Sequence, residues 1–408
     1  MNGGAVRAAR LLVCLVLLLP CSASAASLRD RLRASSLTVG IAGGSAFDAL
    51  ADNIADTAAR NLPIISGSAG YTYRYNPQLE IFERTSETLG PLFLERPDTL
   101  GRGKLNVNVS YQYVQFDEFD GRSIKRLEAA DPIVIQEFDS AGNLLRSTAN
   151  RLRYGLKLHS NIGSLSLTYG VLDNVDVNLL IPVIDTDFGV GVQSQVIAAA
   201  LPGGGFSPAP EPLRTGRTQG NAVGIGDILL RGKYQFPAME GGIRSAAGLQ
   251  LRLPSGNEND FQGTGDFEAS PFLYLSTILW SRVEPHANLG VDLRTDNVER
   301  SQARYGLGAD VDVTRRIGIS LAFLGRSQFK ESAPASDTNF LHLTSVGVQQ
   351  RPLLGISFDR KDFFDLSFGA RAVVWRQIMV FANGIYALND DGLRNGTVIP
   401  TAGVEGTF

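Results

Sequence analysis

Leu105-Asn106-Val107-Asn108-Val109-Ser110-Tyr111-Gln112-Tyr113 is the stretch whose reading decides the fold. Leu105, Val107, Val109, Tyr111 and Tyr113 fall on one face and Asn106, Asn108, Ser110 and Gln112 on the other. A side-chain period of two predicts a β-strand with one apolar and one polar side. Outward along the chain the pattern recurs. Leu152, Tyr154, Leu156 and Leu158 alternate with Arg151, Arg153, Lys157 and His159, and Val175, Val177, Leu179 and Ile181 with Asp176 and Asn178. Leu230, Tyr234 and Phe236 oppose Arg231, Lys233 and Gln235; Leu249 and Leu251 oppose Gln250 and Arg252; Leu289, Val291 and Leu293 oppose His286, Asp292 and Arg294. Tyr305, Leu307 and Val311 then face away from Arg304, Asp310 and Asp312, and Leu366 and Phe368 from Arg371.

A soluble sandwich alternates too, but its polar face meets water and is rich in Lys and Glu. Here the polar faces mix Arg, Asp, Asn, Gln, Ser and Gly, as the lumen of a membrane barrel does. Strands of about ten residues suit a tilted crossing, which needs ~9–11. Tight turns at Val171 to Asn174 and Thr314 to Arg316 belong on the periplasmic side, and long polar loops at 117–149, 185–225, 255–265, 295–303 and 327–362 outside the cell. Counting crossings between them predicts an all-β, transmembrane, antiparallel up-and-down β-barrel of twelve strands. The segment 339–358 either adds a hairpin, making fourteen, or forms an excursion within its loop, and the latter is favoured. The last strand ends on Phe408, with Ala402 and Val404 on the same face. A terminal aromatic of this kind is the signal read by the outer-membrane barrel assembly machinery.

Arg7 and Arg10 precede the apolar run Leu11 to Leu19, and Ala23-Ser24-Ala25 supplies a small-x-small cleavage site, so residues 1–25 read as a signal peptide. Cys21 follows Leu18-Leu19-Pro20, and the proline argues against a lipoprotein site there. Both cysteines lie in the removed segment, which excludes disulfides and thiolate metal sites from the mature chain. Without Arg7 and Arg10 the chain has 36 Lys and Arg against 41 acids, a net charge of −5, so nucleic acid is excluded as a partner. Residues 26–104 do not alternate as barrel strands do and are expected to form a partly helical periplasmic or plug segment, with the barrel at 105–408. Ala46 to Leu62 carries Phe47, Leu50, Ile54 and Ala58 at helical spacing, and Tyr71 to Arg84 suggests a hairpin around Asn76-Pro77. A lumen of about twelve strands needs water or filling, which favours the plug.

Phe82-Glu83-Arg84-Thr85-Ser86-Glu87-Thr88-Leu89-Gly90-Pro91, then Glu95-Arg96 and Thr99-Leu100-Gly101-Arg102-Gly103-Lys104, form one recognisable series. Gly224-Ile225-Gly226-Asp227-Ile228, Leu253-Pro254-Ser255-Gly256, Gly263-Thr264-Gly265, Tyr169-Gly170 and Leu388-Asn389-Asp390-Asp391-Gly392-Leu393-Arg394 form another. In their order and spacing these resemble the outer-membrane transporter-like family labelled "MetA-pathway of phenol degradation", itself similar to the long-chain fatty-acid (FadL-like) channels. The resemblance spans roughly 63–408. It implies a barrel admitting small hydrophobic or aromatic compounds by passive diffusion, an N-terminal segment gating the lumen, and neither catalytic residues nor a cofactor.

Parity assigns the candidate lumen residues: Arg151, Arg153, Lys157, His159, Arg231, Lys233, Arg252, Arg294, Arg304 and Arg371, with Asp176, Asp292, Asp310, Asp312 and Glu405. They could guide solutes, hold the plug by paired charges, or simply fill the barrel. The motifs Gly224-x-Gly226-Asp227 and Gly263-x-Gly265-Asp266 lead into no helix, so they are bends at barrel rims rather than phosphate loops. Asn257-Glu258-Asn259-Asp260 with Asp266 offers oxygen ligands without calcium-loop spacing, and reads as a solvated loop with no metal. His159 and Ser160 are adjacent and point to opposite faces, so they cannot act as base and nucleophile, and an enzyme is not expected. The expected protein is an outer-membrane channel of a Gram-negative bacterium, surrounded by lipid; the alternative is a structural or adhesive barrel acting through its long loops.

Overall fold

The computed structural model describes residues 26–37, 73–76, 81–84, 93–129, 131–295, 298–331, 339–352, 360–375 and 377–408. The expected signal peptide, the helical pattern of 46–62 and part of the first motif series lie outside them. Twelve antiparallel strands close a barrel. They are β1 Leu105–Phe116, β2 Leu144–Leu172, β3 Val175–Ala200, β4 in two pieces (Arg214–Ile225 and Ile228–Gln235), β5 Arg244–Leu253 and β6 Glu268–Ser276. β7 Val283–Arg294, β8 Gln302–Asp312, β9 Ile317–Gln328, β10 Asp362–Trp375, β11 Ile378–Ala387 and β12 Ile399–Thr407 complete the ring. β12 pairs with β1, placing Val404 opposite Val109, and Phe408 and Leu105 exchange backbone hydrogen bonds of 2.7 and 2.9 Å at the seam. Closure matters because an open edge in lipid would leave a row of unpaired amides.

The loop between β9 and β10 carries the hairpin Asn339–Thr344 with Gly347–Pro352, an excursion rather than two further crossings. The hairpin expected around Asn76-Pro77 is present, pairing Tyr73 with Arg84. Among the described residues no helix is long and apolar enough to cross a membrane.

Outside, the wall is apolar: Val109, Leu249, Leu289, Leu307, Leu321 and Val404 are exposed. Exposed Trp280, Trp375, Tyr169, Tyr234 and Phe408 gather where the strands meet the short turns, as an aromatic girdle does at a membrane interface. This exterior and the closed sheet place the protein in the outer membrane.

The sequence reading fails most clearly at 185–225, expected as a loop. It is largely strand, because β2 and β3 run for 29 and 26 residues. At ~3.4 Å per residue that is ~90–100 Å of strand, far more than a crossing requires. The excess rises above the membrane as a sheet whose inner face is apolar: Leu152, Tyr154, Leu156, Leu158, Ile184, Phe188, Val190 and Val192 are all buried in one cluster. Helix α1, Leu28–Leu37, packs into this cluster. Ser27 and Asp30 cap it reciprocally, Ser27 N donating to Asp30 Oδ2 (3.3 Å) and Asp30 N to Ser27 Oγ (3.1 Å). Leu28 and Leu32 are buried in the cluster, and Leu28 N donates to Asp260 Oδ1 at 2.9 Å. Thus part of the loop 257–260 receives the helix. Replacing the fully buried Leu32 with Ala should cost the helix ~2–5 kcal/mol of docking and speed tryptic cleavage after Arg29 and Arg31; an unchanged cleavage rate would refute that packing.

Candidate functional site: the barrel lumen

Below the upper chamber many inward residues of β4 to β12 are charged and paired with one another. Arg252 lies 3.5 Å from Glu268 and 3.8 Å from Asp227; Arg304 is 2.8 Å from Asp292; Arg371 is 4.0 Å from Glu405. Arg294 pairs with Asp266, His286 with Asp310, and Arg244 with both Glu284 and Asp98. Asp312, on the same inward parity, is buried. Pairing is what makes such charges tolerable in a narrow lumen, since a buried ion without a partner costs several kcal/mol (roughly 3–5). Glu284, His286 and Asp310 lie close enough together to share an ion, but Arg244 already sets a cation on Glu284.

Four residues expected in the lumen are elsewhere. Arg151, Arg153, Lys157 and His159 lie on the outward face of β2, while Leu152, Tyr154, Leu156 and Leu158 between them point inward. The period of two is there, but the faces are exchanged. This part of β2 stands above the lipid, so water takes the polar side and the helix-filled chamber takes the apolar one. On that outer face Arg153 pairs with Glu128 (2.9 Å) and His159 with Asp187 (2.8 Å). Arg231, Lys233, Arg252, Asp292, Arg294, Arg304, Asp310, Asp312, Arg371 and Glu405 point inward.

Residues 93–104 descend inside the lumen towards the short-turn end. Phe93 packs against Phe381, and Leu94 lies over Gly306 and Gly308, where a Cβ on Gly308 would sit 2.9 Å from it. Lys233 holds the next turn: its Nζ is 3.4 Å from Glu95 and donates to the carbonyl oxygens of Arg96 (3.1 Å) and Asp98 (2.7 Å). Thr99 N and Oγ1 donate to Gln235 Oε1 (3.2 and 2.8 Å), and Leu100 N donates to Asp176 Oδ2 (2.9 Å). Lys233 and Asp176 were legible by parity. Their partners were not, because a chain segment without alternation gives no clue to what it touches.

Above Leu94 a cavity of about 160 Å³ opens between this segment and the wall. Phe93, Phe116, Phe272, Tyr274, Leu324 and Ile385 supply much of its apolar lining, and its polar points are Arg231, Arg304, Arg326 and Arg394 together with Glu95, Gln250, Asn288, Asp365 and Asn395. The Arg304 guanidinium lies 5.5 Å from the centre of the Phe272 ring, and those of Arg326 and Arg394 each 4.8 Å from that of Phe363. Burial lowers the proton affinity of Arg394, in the loop after β11, while the neighbouring Asp365 carboxylate (2.9 Å) works against that. Arg326, Asp365, Arg394, Arg244 and Glu284 escaped the sequence reading. For Arg326 the reason is that the inward face of β9 is Gly318, Ser320, Ala322 and Leu324, too mixed to read as polar.

The glycine motifs serve close approach. A Cβ on Gly226 would lie 2.6 Å from Ile184, and one on Gly263 2.7 Å from Asp227. Asp227, at the break in β4, instead accepts hydrogen bonds from Thr264 N (2.9 Å), Thr264 Oγ1 (2.8 Å) and Gly256 N (3.2 Å), so the loop 255–265 folds over the break.

Solved structures with a similar course of chain include an outer membrane channel from Pseudomonas putida F1, at TM-score 0.45 and 13% identity, covering 76% of this chain and 97% of that one. A Pseudomonas aeruginosa FadL homologue gives TM-score 0.36 and 10% identity over 75% and 90% of the two chains. A mutant of TodX, described as a monoaromatic hydrocarbon channel, gives 0.27 and 10% over 76% and 91%. No curated protein matches the chain by sequence. The model of the family described as "Putative MetA-pathway of phenol degradation" matches residues 148–370, more than half of the chain, and the chain belongs to that family.

Proposed function

We propose that this protein is a passive outer-membrane channel for small hydrophobic or aromatic compounds, with residues 26–104 acting as the plug of a barrel formed by 105–408. The observation that carries the reading is the lumen cavity. A space of ~150 Å³ with apolar walls is enough to take up benzene, and the cavity bounded by Phe93, Phe272, Tyr274 and Leu324 is about 160 Å³. The ring faces and guanidinium planes around it suit a flat solute with a modest polar group better than a sugar, whose hydroxyls would each need a partner. The inward ion pairs act as the wall that holds the plug and lines the path, and Phe408 is the residue read during assembly.

The test is solute uptake into liposomes bearing the refolded mature protein, comparing a small aromatic with a sugar of similar size. Selective uptake of the aromatic is expected, with a loss of at least about tenfold in Leu324→Trp, which fills the cavity. Equal uptake of both would make it a general pore. Uptake of neither, by protein whose folding is confirmed by a heat-dependent gel shift, would favour a closed barrel acting through its loops.

A further inference from the structure

The outer face of the projecting part of β2, β3 and β4 has no role in a channel, and its chemistry is distinctive. Below Asp185 the outward residues are apolar: Val177, Leu179, Ile181 and Val183 on β3, and Tyr111 and Tyr113 on β1. Above it they become polar and then basic. Outward Lys157, Gly189 and Gln219 lie side by side across β2, β3 and β4, and Gly155, Gly191 and Arg217 form the next row. Because Gly189 and Gly191 carry no side chains, the sheet surface is open at those two positions, and a groove of about 730 Å³ runs between Lys157 and Arg217, bounded at Gly155 by the Lys125 carbonyl, which lies 3.0 Å from where a Cβ there would sit. Two strand spacings of ~4.8 Å and a two-residue step of ~7 Å along the strand separate their positions, so the two cations spring from points ~12 Å apart across a backbone floor.

Arg151, Lys157 and Arg217 have no acidic partner among the described residues. Their neighbours do: Arg153 has Glu128 (2.9 Å) and Lys125 has Asp117 (2.9 Å). Asp187, the carboxylate in the groove's lining, is held by His159 (2.8 Å) and Asn221 (3.3 Å).

We propose that this groove binds the phosphates of a glycolipid headgroup in the outer leaflet, with Lys157 and Arg217 as the contacts on either side and Arg151 above. A soluble anion would gain only the charges. A lipid gains both surfaces, because beyond the row of His159, Asp187 and Asn221 the same outer face turns apolar at exposed Val223 and half-buried Val183 and Tyr113, where acyl chains lie. The floor needs glycine, since any side chain at 189 or 191 would stand where a phosphosaccharide must approach the sheet.

The experiment measures binding of diphosphorylated lipid A in detergent to the full mature protein by native mass spectrometry. Each cation at an anionic lipid surface contributes roughly a fivefold gain, so K157Q/R217Q should bind roughly 25-fold more weakly. Gly191→Gln, which keeps every charge and meets nothing closer than 4.0 Å at its Cβ, should weaken binding as well by covering the floor. The control R315Q/R316Q, in the short turn at the opposite end of the barrel, should bind as the parent does. Folding is checked for each variant by the heat-dependent gel shift. Four results would overturn the proposal: unchanged binding by K157Q/R217Q or by Gly191→Gln, an equal loss in the control, equal binding of the dephosphorylated glycolipid, or displacement of the lipid by millimolar inorganic phosphate.

Discussion

Lys233→Met is expected to open the channel. Lys233 grips the descending segment at three points, bonded to Glu95 and to the carbonyls of Arg96 and Asp98, and it is buried, while Arg244 holds the Asp98 side chain beside it. Methionine matches its length but removes one positive charge from beside Glu95 and Asp176. Breaking a buried pair from one side costs ~3–5 kcal/mol, which shifts a docked-to-undocked ratio by roughly two to three orders of magnitude. In planar bilayers the unitary conductance should rise severalfold, and tryptic cleavage after Arg96 should accelerate in parallel. Lys233→Arg, which keeps the charge, should stay near the parent. If conductance and cleavage both hold steady in Lys233→Met, the segment 93–104 is not what limits the lumen.

The second large effect belongs to Gly170, where the segment turns into the wall. Gly103 N donates to the carbonyl of Gly170 (2.8 Å), and Gly170 N to the carbonyl of Lys104 (2.9 Å). A Cβ at 170 would point into the backbone of Gly101, 2.7 Å from its carbonyl carbon and closer still to the oxygen. Backbone cannot swing aside as a long side chain can. Gly170→Ala must therefore push out the turn at Gly101 and Gly103, both at positive φ (85° and 79°), and with it the Leu100–Asp176 hydrogen bond. We expect a cost above roughly 3 kcal/mol, seen as a lower temperature for the heat-dependent gel shift and a leakier channel. Gly163→Ala, on the same strand with open space around it, is the matched control and should change neither. A parent-like shift in Gly170→Ala would show that the turn yields at little cost.

The two variants separate the anchoring of segment 93–104 from its route. Lys233 acts on the segment through charge, and Gly170 through shape at the point of insertion. A channel for aromatic compounds in which both raise conductance, while only Leu324→Trp removes aromatic uptake, would divide the lumen into a gate near the short turns and a binding chamber above it.

Sequence alone determined that this chain is a barrel, how many strands it has and where most of its inward charges lie. The reason is local: a period of two is a property of neighbouring residues, and Leu105 to Tyr113 displays it without help from the rest of the fold. Arg231, Lys233, Arg252, Asp292, Asp310, Arg371 and Glu405 followed from counting alternate residues along strands bathed in lipid. Alternation marks two faces but cannot say what each one meets. At Arg151 to His159 the strand has left the membrane, so the same pattern carries the opposite meaning, and only the closed barrel with α1 packed inside shows it. The partners of Lys233, the cavity between Phe93 and Phe272, and the guanidinium pair around Phe363 were also beyond reach. Those contacts join residues far apart in the chain, and no local period records them.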